Sequence, residues 1–195
     1  MIHINDDELK IIDQQNKILT NFILHYLSYK ELYSKSEQLI GDKGFWKYSS
    51  DAHIMQCFNY WCMVFGSDKN NHTHWKRLSF NIGKGNGGFK VKLLNELKMN
   101  KSDWDGVWKD ITSFRNKFTA HRDINYLKPV PYLDAAYKSV FIYDNWINED
   151  ILPFTDIDNL REPLEEFADD YKKKIRETVK QLLEMSSNSI PREIY

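Results

Sequence analysis

Apolar residues recur every three or four positions along most of this chain, the period of helices that each bury one face. Over 7–32, Leu9, Ile12, Ile18, Phe22, Ile23, Tyr26 and Leu27 mark a first long helix, and Asn5 or Asp6 can cap its start. The stretch 35–48 is mixed, with Gly41 and Gly44 as breakers. Ser49, Ser50 and Asp51 then read as the cap of a strongly apolar helix over about 51–66, carrying Ile54, Met55, Phe58, Trp61, Cys62 and Phe65. A polar loop follows at 66–71, a short helix is predicted over 74–81, and a glycine-rich loop over 82–88. Residues 89–98 form a helix with Val91, Leu94 and Leu97 on one face. Ser102 is the expected cap of a helix over about 102–121. Pro129 and Pro131 punctuate a loop, a helix spans about 132–147, and Pro153 breaks it. A polar helix over about 159–186 closes the chain, with Leu160, Leu164, Phe167, Tyr171, Ile175, Val179 and Leu182 as its stripe. No repeat and no strand alternation interrupts the pattern. The expectation is one all-α domain over 1–195, an up-and-down bundle of four to five main helices with a mid-chain insertion of loop and short helix.

Composition agrees with a packed core. Of 195 residues, 42% are hydrophobic and 28% charged, which excludes wholesale disorder, and only 8 Gly and 5 Pro argue against the many tight turns of a β-sandwich or barrel. No run approaches the roughly 20 apolar residues of a membrane span, so no membrane partner is expected. The acidic N-terminus has no apolar signal core, and two cysteines make no disulfide framework, so the expected location is a reducing cytoplasm. A formal net charge of -1 hides an uneven distribution: residues 70–128 hold 12 Lys and Arg against 5 Asp and Glu, whereas 144–170 hold 10 acids against Arg161 alone. A basic middle beside an acidic segment suggests a local anion-binding surface.

Three patterns resemble chemical sites without their context. Gly83–Gly88 fits GxGxxG, but no strand precedes it and it lacks the Lys-Ser/Thr end of a P-loop, so it reads as an inter-helix loop and no cofactor is expected. His72 and His74 offer two imidazoles, short of the four ligands of structural zinc. Cys57 and Cys62 stand five apart on an apolar helix and read as core filling, so no metal is expected.

The helix over 102–121 carries the sharper signal. With Trp104 at zero and about 100° per residue, Val107, Trp108, Ile111, Phe114 and Phe118 form one apolar stripe. Arg115 falls at about 20° and His121 at about 260°, flanking that stripe, while Asn116 points away from it. A guanidinium offers a planar fork for phosphate, and an imidazole moves protons near neutral pH. The pair therefore suits phosphodiester chemistry without a metal. An Arg paired with a carboxylate, beside a His that caps helix carbonyls, would leave the same pattern.

The segment Arg115-Asn116-Lys117-Phe118-Thr119-Ala120-His121-Arg122-Asp123 resembles the signature of HEPN domains: an Arg, four to six residues, then a His near the end of a helix. With Asn after the Arg and Ala-His-Arg-Asp at the end, it is similar to HEPN proteins of bacterial abortive-infection and toxin–antitoxin systems. The resemblance implies a helical bundle that dimerises and brings two Arg–His motifs into one cleft, active as a metal-independent endoribonuclease. It assigns His121 as general acid or base, Arg115 to the scissile phosphate, and Asn116 to orientation within the composite site. Lys117, Arg122, Lys84 and Lys90 would follow the RNA backbone. The implied partners are RNA, a second copy, and a cognate antitoxin or regulatory protein. Members silenced by nucleotidyltransferase antitoxins carry a Tyr two residues after the His; Asp123 stands there instead and Tyr126 is the nearest tyrosine, so that route of silencing is not expected. A non-catalytic HEPN-like module that binds RNA, a nucleotide or a partner protein is the alternative that the same motif allows.

Overall fold

The structure, a computed structural model, describes residues 3–39, 41–79, 88–155 and 162–188. It is all-α: no strand occurs among the described residues, and the α-helices are α1 (Asp6–Lys35), α2 (Lys43–Phe65), α3 (Phe89–Leu97), α4 (Lys101–Phe114), α5 (Asp134–Asn145) and α6 (Leu164–Asn188). None of them is long and apolar enough to cross a membrane.

Most boundaries follow the hydrophobic period, and the departures have local causes. Asn5 closes a capping box on α1: its side-chain oxygen accepts from the backbone of Asp7 and Glu8, while Glu8 accepts from Asn5 N–H. The second helix begins at Lys43, well before the expected cap at Ser49–Asp51, because Asp42 accepts from Phe45 N–H at 2.8 Å and the lone Gly44 is tolerated in a first turn. Asn100 rather than Ser102 caps α4, accepting from Asp103 N–H at 2.9 Å. The short helix expected over 74–81 is one 3₁₀ turn, Trp75–Arg77, with residues 80 and 81 outside the described part. Six α-helices occur among the described residues, the shortest being the nine-residue α3 over the expected 89–98 segment.

α1 and α2 run antiparallel, with Phe22 beside Cys57 and His25 beside His53. α5 lies antiparallel on α1, tied by Tyr26 to Asp134 at 3.2 Å and by Tyr143 to Gln15 at 2.7 Å. α6 runs along α1 with Ser28 2.8 Å from the Tyr171 hydroxyl. α4 crosses α2 through Phe58 on Phe114 and Trp61 near Trp104. Trp61 sits at the centre, fully buried, its indole N–H donating to Ser139 at 3.0 Å. The acidic segment and the basic middle meet at Lys92, which pairs with Asp150 at 2.7 Å and Glu149 at 3.5 Å. Part of the basic surplus read from the sequence is thereby neutralised within the fold.

Candidate active site

The apolar stripe of α4 faces inward as its periodicity demands, with Trp104, Ile111 and Phe114 buried. The helix does not stay regular to residue 121. It passes at Arg115 into a π-helical turn, Arg115–Thr119, closed by Ala120 N–H on the Arg115 carbonyl at 2.9 Å. A π turn inserts one residue per turn, so every side chain after it is rotated away from its regular-helix position. The 260° assigned to His121 is thus overturned: His121 lies beyond the helical turns, in exposed backbone. The turn is held from outside. The Thr119 hydroxyl lies 2.7 Å from the Arg115 carbonyl and 3.2 Å from the side-chain oxygen of Asn59 on α2, so α2 pins the point where the helix widens.

Arg115 and His121 end up on either side of that pin. Met55, Gln56 and Asn59 of α2 border a cleft of about 320 Å³ that His121 and Arg122 share. One turn further along α2, Cys62 and Met63 border a second cleft of about 310 Å³, which holds Arg115 and Asn116. The two clefts lie end to end along one face of α2. The Arg115 cleft also takes in Lys69 and His72 from the loop after α2, residues the sequence did not connect with the motif. In the sequence His72 is only half of a His-x-His pair, and no local pattern announces that a loop more than forty residues upstream folds back onto Arg115.

Arg115 is half-buried. Its Nη1 donates to the Asn116 side chain at 2.9 Å, its Nε is buried with no partner, and no carboxylate pairs with it among the described residues. The acids closest to it in sequence pair with lysines: Asp110 with Lys128 at 3.3 Å and Asp123 with Lys117 at 3.5 Å. Arg122 sits over Phe118, its guanidinium carbon 4.0 Å from the ring centroid. Burial pushes the Cys62 thiol up to about 12, against the opposing pull of the Arg115 cation, so Cys62 is an inert wall of this cleft. Both cysteines are free and buried, as core filling requires.

The remaining sequence-predicted residues are dispersed. Lys90 pairs with Asp105 at 3.3 Å at the mouth of a different cavity, and Lys84 lies outside the described residues. His74 is structural: its Nδ1 accepts from Lys76 N–H and its Nε2 faces the Gly66 carbonyl, both at 3.2 Å, which uses both ring nitrogens in the neutral form. Burial accordingly holds its pKa down at about 4. No group of three or more metal-ligating side chains occurs among the described residues. Tyr126, the tyrosine nearest the motif, keeps its hydroxyl buried against the fold rather than on the surface.

The chain matches no family model, no curated protein and no solved structure in the comparisons made.

Proposed function

We propose that this chain is a metal-independent endoribonuclease of the HEPN type, acting as a homodimer in a bacterial defence or toxin–antitoxin setting. The observation that carries the reading is the state of Arg115: a half-buried guanidinium lining a cleft, its Nη1 bonded to the neutral amide of Asn116 and no carboxylate paired with it among the described residues. A phosphate oxygen is the partner such a group lacks. The motif's alternative explanation, an Arg held by a carboxylate and a His capping carbonyls, finds no support in this geometry, since His121 has no hydrogen-bond partner among the described residues.

In the proposed reaction an imidazole takes the proton of a ribose 2′-hydroxyl as that oxygen attacks phosphorus. A proton is delivered to the departing 5′-oxygen, leaving a 2′,3′-cyclic phosphate and a 5′-hydroxyl. Arg115 stabilises the charge that grows on the phosphoryl oxygens, with Asn116 fixing one edge of its fork. The placement of Arg115 and His121 in neighbouring clefts rather than one gives a second copy its role, since two facing motifs supply two imidazoles and two guanidinia around one phosphate. Lys117 and Arg122 flank the same stretch and suit the RNA backbone.

The test is His121→Ala in single-turnover cleavage at saturating RNA, with a thermal melt alongside. His121 is exposed and unbonded, so the variant keeps its melting temperature while the rate falls by about 10²- to 10⁴-fold. Expression of the native chain slows host growth, and the variant relieves it. Wild-type cleavage by His121→Ala, or a monomer by light scattering at tens of micromolar, overturns the reading.

A further inference from the structure

A cavity of about 620 Å³ lies apart from the one that holds Arg115. It opens between α3, α4 and the loop after α2, and its volume is that of a small-molecule site rather than a packing defect. Its lining is aromatic: Phe65, Phe89 and Trp104 are buried, and two half-buried indoles, Trp75 and Trp108, complete it. Its mouth is charged. Lys76 pairs there with Asp68 at 3.1 Å and Lys90 with Asp105 at 3.3 Å, while Lys109 has no ion-pair partner among the described residues. An aromatic-lined cavity under a rim with one uncommitted cation suits a flat heteroaromatic ring that carries an anion, which is the chemistry of a nucleotide.

A second observation ties this cavity to the Arg115 cleft. Ser67 borders both, so one loop of a few residues is the partition between them. That loop is held firmly. Gly66 approaches the end of α2 so closely that a Cβ there would meet the Cys62 carbonyl at 2.5 Å. Asn71 donates to the Met63 carbonyl at 2.9 Å, and Arg77 donates to the Asn71 and Asp68 carbonyls at 2.9 and 3.0 Å. The Trp108 indole N–H donates to the Phe65 carbonyl at 2.7 Å, which fixes one aromatic wall to the same corner. A rigid divider between a phosphate-binding cleft and an aromatic slot is the layout of adjoining subsites on one strand.

We infer that the cavity walled by Trp75 and Trp108 is a nucleobase pocket, which takes a base next to the phosphate held at Arg115. The inference rests on the ribonuclease reading for its substrate, RNA, but not for its binding. The stacked base would anchor the strand in register, so that cleavage is biased to one side of that nucleotide. Purines, with the larger π surface, bind best.

The experiment uses the full chain and 2′-O-methyl hexanucleotides, which cannot be cleaved, read by fluorescence anisotropy. One strand is all-adenine and a second carries an abasic site at each position in turn. At one position the abasic substitution weakens binding about ten-fold, near the lower half of the range for losing one base–aromatic stack. Trp75→Leu keeps an apolar wall and removes the stacking face; it lowers affinity for the intact strand by a similar factor and leaves the abasic strand's affinity unchanged. Lys109→Glu, a surface change that spares the core, weakens both intact and abasic strands at low salt. Equal binding of intact and abasic strands at every position overturns the pocket. So does Trp75→Leu or Lys109→Glu leaving the intact strand's affinity as in wild type. If adenosine monophosphate binds as tightly as the hexanucleotide, the site is for a free nucleotide and the strand register is refuted. Unmodified RNA in parallel separates the two readings: base discrimination without cleavage sinks the ribonuclease and keeps the pocket, and cleavage without base discrimination does the reverse.

Discussion

Replacing Arg115 by Met should remove cleavage and leave the fold slightly more stable. Met is unbranched and follows much of the path of the arginine stem, so the apolar contact along α4 is largely kept. What disappears is a guanidinium whose Nε is buried without a partner and whose Nη1 bonds only to the exposed Asn116. Losing that single bond costs little, because Asn116 returns to water. Relieving a buried unsatisfied donor is worth about 1–3 kcal/mol when burial is complete. For a half-buried side chain a gain of about 1 kcal/mol is the reasonable figure, or some 2–4 °C in Tm for a domain of this size. Urea unfolding of wild type, Arg115→Met and Arg115→Lys measures it, with single-turnover cleavage on the same samples. The expected pattern is Met most stable and inactive, with Lys retaining partial activity because an ammonium lacks the planar fork. If Arg115→Met unfolds more than about 1 kcal/mol more easily than wild type, the guanidinium is held by the fold and is not waiting for a phosphate.

Three further outcomes follow from the same geometry. The Nδ1 atoms of His25 and His53 face each other at 2.9 Å, and burial lowers both imidazoles below 6.5, in His25 with a smaller push from His53. Groups lowered in the folded state stabilise it in their neutral form above their unfolded pKa; stability therefore falls as pH drops below about 6.5, and His74, held at about 4, extends that loss to lower pH. Urea midpoints between pH 7.5 and 5 should show a slope that His25→Phe/His53→Phe flattens, and an unchanged slope would exclude the pair as its source. Trp61→Phe forfeits the buried bond to Ser139 and leaves a void at the centre of the bundle, a loss of about 2–3 kcal/mol by urea unfolding; a loss below about 0.5 kcal/mol would mean the core repacks freely. Cleavage should persist in EDTA and yield 2′,3′-cyclic phosphate ends, and activity lost on chelation and restored by Mg²⁺ or Mn²⁺ would rule out the Arg–His mechanism.

The helical bundle was legible in the sequence because burial writes itself into spacing. Each long helix shows its inner face as apolar residues three or four apart, and Phe22, Trp61, Ile111 and Val179 on those faces are buried. The candidate motif was legible too, as a run of nine residues with Arg115 and His121 at its ends. Where helices begin was harder, because Asp42 and Ser50 both have the chemistry of a cap and only packing decides which is used; Asp42 caps α2, while Ser50 is buried inside it. Tertiary structure alone decided the geometry of the motif. The π turn at Arg115–Thr119 has no local signal: it is stabilised by Thr119 meeting Asn59, sixty residues away, and it moves His121 off the face that a regular helix would give it. The same holds for Lys69 and His72 beside Arg115, and for the aromatic cavity across Ser67. Periodicity reports which side of one helix is dry, a property of neighbours along the chain. Clefts are made by segments distant in sequence, and their positions are set by the packing of the whole bundle.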